Sequence, residues 1–221
     1  ITIGDWSSDV CSSDLEKTNA IDIPVAEEET VESVPDAYKV VLIGDRAVGK
    51  SSIVKRFTEN TFSASHALTI GAAFASKDMS LQREDGESVN VKLHIWDTAG
   101  EEQYRSMTRY FLREAMIGLV VYDVTDINSA DNMDEWINCL LEESPDCHIM
   151  IVGNKIDSPN RKVNAEDIRK YAAANQFDHL ECSAKSGENI FEVFCKAAVV
   201  AYKQRNAYNG SVKVTDRKSV V

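Results

Sequence analysis

Eight consecutive residues, Gly44–Asp45–Arg46–Ala47–Val48–Gly49–Lys50–Ser51, fit the pattern G-x-x-x-x-G-K-[ST]. In such a loop successive backbone N–H groups point inward and hold phosphate oxygens. The lysine ammonium neutralises the outer phosphates, and the serine hydroxyl reaches Mg²⁺. The helix expected to open at Lys50–Ser51–Ser52 adds the positive end of its dipole. A random match in a chain of this length has odds on the order of 1% from ordinary residue usage. The run Lys39–Val40–Val41–Leu42–Ile43 just before the loop is short and β-branched, so it reads as a buried strand.

A phosphate loop does not choose a base. Asn154–Lys155–Ile156–Asp157 follows the predicted strand His148–Val152, and an aspartate carboxylate accepts from both N1–H and the exocyclic amine of guanine. Adenine does not offer that pair of donors. The four residues alone also mark ordinary turns. They gain meaning from Ser183–Ala184–Lys185, which follows the next short strand, where a backbone N–H can meet guanine O6. The three motifs stand in order at the ends of three strands.

Hydrophobic periodicity supplies the elements that must position these residues. Ala73–Leu81 and Val89–Trp96 read as strands around the turn Glu84–Asp85–Gly86–Glu87. Ile117–Tyr122 is a further strand, and His179–Cys182 a short one. Ala130, Met133, Ile137, Leu140 and Leu141 keep helical spacing, Ala165–Ala174 is a helix, and Phe191 to Tyr202 forms a last amphipathic helix. Alternating βα units imply an α/β fold: a six-stranded, mostly parallel sheet with helices on both faces and one antiparallel edge. Ligands of such sheets sit at the carboxyl ends of the strands, where all three motifs fall.

The 221 residues are 43% hydrophobic and 27% charged, the balance of a globular chain with a real core. No run approaches the roughly 20 apolar residues of a bilayer-spanning helix. The formal charge of −12 argues against nucleic-acid binding. Residues 1–36 hold ten acids against Lys17 alone, so the acidity belongs to an N-terminal extension and the remainder is close to neutral. Residues 1–37 read as a disordered acidic arm, 38–204 as the folded domain and 205–221 as a disordered tail. Residues 5–15 and 216–221 resemble in-frame translations of sequencing adapters and are read as artefacts, so the natural segment is taken as Glu16 to about Thr215. Cys11, Cys139, Cys147, Cys182 and Cys195 lack metal-ligand spacing and are expected as reduced thiols.

From Tyr38 to Tyr202 the chain resembles the Ras-like small GTPases, and within them the Rab family of vesicle-traffic switches. Lys92 to Gly100 resembles the Rab signature around W-D-T-A-G, and Ile70–Gly71–Ala72–Ala73–Phe74 the I-G-x-x-F element in its early-endosome variant. The resemblance implies a P-loop Ras-like G domain that binds GTP or GDP with Mg²⁺. Ser51, Thr69 and Asp97 would serve the metal, and the Gly100 N–H would touch the γ-phosphate. Phe62 would stack edge-on near guanine. Ile70, Gly71, Phe74, Trp96 and Phe111 would form the effector surface. Implied partners are an exchange factor, a GTPase-activating protein, a GDP-dissociation inhibitor or escort protein, and Rab effectors. The resemblance also implies a monomer in the cytosol and on the cytoplasmic face of endomembranes, including endosomes, anchored by prenylation in the full-length native protein.

Several residues depart from the family. Where a glutamine orients the attacking water, this chain has Glu101, followed by Glu102, Gln103 and Tyr104. Arg46 stands where many relatives have a small residue, and Glu114 replaces a usual glycine. Catalysis is expected to involve Glu101, Arg46, Lys50 and Gly100, with slow intrinsic hydrolysis because a carboxylate faces the γ-phosphate. The competing reading is a GTP-locked module that recruits effectors and scarcely turns over. A P-loop ATPase or small-molecule kinase is disfavoured by Asn154 and Asp157.

Overall fold

The computed structural model describes residues 36–64, 69, 71–100 and 105–215. The expected acidic arm, the adapter-like ends, Ile70 and Glu101 lie outside the described residues, apart from Asp36 and Ala37 at the arm's end. The first strand, β1 (Asp36–Ile43), feeds the phosphate loop, and α1 (Lys50–Glu59) follows. A hairpin of β2 (Ala72–Arg83) and β3 (Ser88–Thr98) comes next, then α2 (Arg105–Leu112) and β4 (Ile117–Asp123). The second half runs α3 (Ile127–Asp131), α4 (Met133–Glu143), β5 (His148–Asn154), α5 (Ala165–Ala174), β6 (Asp178–Glu181), α6 (Ile190–Asn206) and β7 (Val212–Val214).

The strands lie in the order β6-β5-β4-β1-β3-β2-β7. Parallel ladders join β1 to β3 and β4, β4 to β5, and β5 to β6, while β2 pairs antiparallel with β3 and β7. The sheet thus has seven strands where six were expected. The difference is β7, whose brief alternation Ser211–Val212–Lys213–Val214–Thr215 lies within the segment expected as a disordered tail. Lys203 to Asn206 complete α6, and β7 pairs with Leu81–Arg83. As far as Thr215 the expected disordered tail is therefore structured.

Strand alternation divides the core. Val40 and Leu42 pack on the α1 and α6 side, where Phe57 stacks on Phe194 at 3.9 Å between ring centroids. Val41 and Ile43 face the layer that includes Met133, Trp136, Ile137 and Leu140. All seven residues of β4 are buried, as a central strand covered on both faces requires. The helix expected through Ala130 and Leu141 is two helices, broken at Asn132, which ends α3 and starts α4. Leu141 is only half-buried, whereas Trp136 is 2% exposed. No helix among the described residues is long and apolar enough to cross a membrane.

Candidate nucleotide-binding site

A cavity of about 650 Å³ opens at the carboxyl ends of β1, β3 and β5 and is lined by parts of all three sequence motifs. At one end lies the phosphate loop. Gly49, at φ 102°, starts α1 and no side chain caps that helix, so the N–H groups of its first turn are left for an anion. Gly44, at φ 136°, sits so close to the Val121 backbone that a Cβ there would collide. Lys50 is 6% exposed and folds back into the loop, donating to the carbonyls of Gly44 at 2.7 Å and Asp45 at 2.8 Å. Burial pushes its ammonium down to about 8, against the opposing attraction of Asp97 and Asp45. Gly100 passes so near that an added Cβ would lie 2.6 Å from the Asp45 carbonyl oxygen.

The oxygens beside the loop suit Mg²⁺. Ser51 Oγ and Thr69 Oγ1 lie 3.0 Å apart, and the Asp97 carboxylate is buried at the end of β3, opposite Leu42 of β1. No cluster of three His, Cys, Asp or Glu side chains able to hold a metal exists among the described residues. Magnesium needs none, because it keeps several waters and binds through one or two carboxylates and the substrate's phosphates. When bound, the ion would neutralise phosphate charge.

The other end is built around Asn154, 2% exposed. Its Nδ2 donates to the Val48 carbonyl at 2.8 Å, and its Oδ1 accepts from the Ala184 N–H at 3.1 Å. It therefore ties the phosphate loop to the Ser183–Lys185 loop. A Cβ on Gly49 would strike the Asn154 amide, so glycine is required there for contact as well as for φ. Lys155, in the left-handed region at φ 72°, pairs with Asp123 at 2.5 Å. Burial acts to raise the Asp123 carboxyl, but hydrogen bonds from Lys155 and Thr125 outweigh it and hold it below its ordinary value. Asp157 accepts from Ser183 Oγ at 2.6 Å, with Lys185 Nζ at 3.7 Å. The cavity thus has cationic and N–H groups at one end and an oriented carboxylate at the other, which fits a guanine nucleotide.

Of the residues expected at the nucleotide, Arg46, Ala47, Gly49, Lys50, Ser51, Ser52, Phe62, Thr69, Gly100, Asn154, Lys155, Asp157, Ala184 and Lys185 line the cavity. Four expected residues do not. Gly44, at the start of the loop, packs against the Val121 backbone, and Val48 is buried in the core. Ser183 is fully buried under Asp157. Asp45 turns outward, accepting from Asn132 Nδ2 at 2.8 Å and Trp136 Nε1 at 2.7 Å. Asp97 also stands behind the lining. Sequence reasoning missed Asn132 and Trp136, whose partner lies 91 residues from Trp136. Trp136 is one helical turn from Met133 and Leu140, and that period marks burial without naming a partner.

On the sheet's outer surface, Phe74, Trp96 and Phe111 form a continuous ladder, with centroids 5.2 Å and 5.5 Å apart. Phe74 is 54% exposed. Cys147 and Cys182 are buried, Cys139 and Cys195 half-buried, and all four are free thiols. Burial pushes the first two up to about 12.

The sequence model of the Ras family matches residues 39–203. Among curated proteins, the Ras-related protein Rab-5B of Plasmodium falciparum is 39% identical over 200 residues, covering 88% of this chain and 94% of that one. A putative ras-related protein Rab-5B of Dictyostelium discoideum is 38% identical over 75% of this chain and 77% of its own. The GTP-binding protein ypt5 of Schizosaccharomyces pombe is 40% identical over 72% of this chain and 75% of its own. The chain belongs to the Ras family as a Rab-type small GTPase, which binds GTP or GDP with Mg²⁺ and hydrolyses GTP.

Proposed function

We propose that this GTPase is a switch of vesicle trafficking whose GTP-bound state is long-lived. The observation that carries the switch is the cavity itself, which joins Lys50, Ser51 and Thr69 to Asp157 and Lys185. In this reading the loop Gly44–Ser51 and Ser52 hold the phosphates, Ser51, Thr69 and Asp97 serve Mg²⁺, and the Gly100 N–H meets the γ-phosphate. Phe62, Asn154, Lys155, Asp157 and the Ser183–Lys185 loop hold guanine. The bound γ-phosphate orders the segments around Thr69 and Gly100, and hydrolysis releases them. Effectors read Ile70, Gly71 and the aromatic ladder, while an exchange factor, an activating protein and a GDP-dissociation inhibitor or escort protein set the cycle. The names of the Rab-5B relatives support a place on the cytoplasmic face of endomembranes, including endosomes. Residues 38–204 carry the switch.

Slow turnover follows from charge. Glu101 replaces an amide that would donate to the attacking water, and its carboxylate repels the γ-phosphate. Arg46 is exposed on the cavity wall, and a guanidinium there that blocks the attacking water favours a second reading, a GTP-locked effector-recruiting module with negligible hydrolysis. Displacement of fluorescent GDP tests the guanine site. GTP is expected to compete at least a hundredfold better than ATP, and equal competition would remove guanine recognition from the account.

A further inference from the structure

Arg56, in the second half of α1, joins the phosphate helix to the loop at the base end. Its Nε donates to the Ala184 carbonyl and its Nη2 to the Lys185 carbonyl, both at 2.9 Å. Its Nη1 donates to the carbonyl and side-chain oxygens of Asn60 at 3.0 and 3.2 Å. Asn60 is the left-handed residue that ends α1. Gly187 passes over the arginine stem, where an added Cβ would lie 3.7 Å from Arg56 Cδ. One planar fork is thus anchored on a helix end and closes on two successive carbonyls, a task suited to guanidinium rather than ammonium geometry.

A trans peptide directs its C=O and N–H in opposite senses. Holding the Ala184 carbonyl on the Arg56 side therefore turns the Lys185 N–H the other way. Ala184 and Lys185 line the cavity, and Arg56 stands behind them. We propose that Arg56 is a positioning residue for guanine recognition, locking the Ala184–Lys185 peptide so that the Lys185 N–H addresses guanine O6. Arg56 itself does not touch the nucleotide. The proposal rests on the guanine reading given above. The loop has its own closures, from Ser183 N–H to the Glu188 carbonyl at 2.9 Å and from Gly187 N–H to the Ser183 carbonyl at 2.8 Å. Losing Arg56 therefore leaves the turn formed and frees the orientation of the peptide.

The test compares release of three nucleoside diphosphates from the full chain, from Arg56→Gln and from Arg56→Lys. GDP carries O6, inosine diphosphate keeps O6 but lacks the 2-amine, and 6-thioguanosine diphosphate keeps both N–H donors but replaces O6 with a weak sulfur acceptor. Arg56→Gln is expected to speed release of GDP and inosine diphosphate about tenfold, and of the thio analogue less than threefold, a coupling that isolates the O6 contact. Arg56→Lys, which can reach one carbonyl at a time, should fall between, and it carries the same comparison if Arg56→Gln does not fold. Equal acceleration of all three nucleotides, or of none, overturns the proposal while leaving guanine binding intact. If the wild-type chain releases the thio analogue no faster than GDP, O6 is not read and the proposal falls; if it also releases inosine diphosphate no faster than GDP, the guanine reading falls with it.

Discussion

Glu114 occupies the left-handed region at φ 58°, a conformation that costs a non-glycine residue roughly 1–2 kcal/mol. The position is one where the family resemblance leads one to expect glycine, and the backbone explains why. Two contacts offset part of the strain. The adjacent Arg113 carbonyl accepts from Lys39 Nζ at 2.6 Å, and the Glu114 carboxylate raises the Lys39 ammonium against the larger lowering effect of burial. Glu114→Gly should stabilise the protein by about 0.5–1 kcal/mol in urea unfolding, after the entropy that glycine adds to the unfolded chain. A loss of stability would show that the carboxylate contributes more than the strain costs. Lys50 gives a pH dependence of definite sign. Its ammonium titrates at about 8 in the nucleotide-free protein, and bound phosphates raise that value. Binding therefore takes up a proton above pH 8. GDP affinity should be flat from pH 6.5 to 7.5 and fall as pH rises past 8, by up to about tenfold per unit. Calorimetry in two buffers of different ionisation heat would read the proton uptake directly.

At the scale of elements, the start of α4 supports the phosphate loop from outside. Asn132 and Trp136 both donate to Asp45, whose carbonyl in turn accepts from Lys50. The break between α3 and α4 at Asn132 places these two donors on one side. Trp136→Phe keeps the buried ring and removes one hydrogen bond to a carboxylate, which should cost about 1–2 kcal/mol. Because Asp45 then has more freedom, GDP release should quicken as well. Unchanged stability and unchanged release would show that the contact is incidental. These ties also mark where sequence reading stops. The loop Gly44–Ser51, the Asn154–Asp157 turn and the strands beside them are contiguous patterns, legible because each element carries its own period and its own residues. The partners of Asp45 and Arg56 are legible only in space, since Arg56 and Ala184 are 128 residues apart. The break at Asn132 was hidden because Ala130 and Met133 keep helical spacing across it.

Across the whole molecule, β7 changes the outline of the sheet. It covers the far end of β2, with Val212 and Val214 packed against the main core, Tyr208 against Tyr202 at 5.9 Å, and Arg83 over the Tyr208 ring at 4.8 Å. Ser211–Val212–Lys213–Val214–Thr215 does alternate polar and apolar residues, but its pairing depends on an edge that only the folded sheet presents. Ending the chain after Asn206 should lower stability by about 1–2 kcal/mol, because it exposes apolar area of the core and removes the aromatic face under Arg83. A truncated chain as stable as the full one would mean that β7 contributes nothing to the fold.

The proposed function joins a nucleotide and Mg²⁺ site to slow hydrolysis. Single-turnover GTP hydrolysis by the full chain, Glu101→Gln and Arg46→Ser tests that claim most directly. Slow turnover by the wild type, with Glu101→Gln at least tenfold faster, a gap of about 1.4 kcal/mol in the barrier, is the result the account predicts. If the wild type hydrolyses GTP at an ordinary Rab rate and both variants are slower, Arg46 and Glu101 act as a catalytic pair, and the long-lived switch is contradicted.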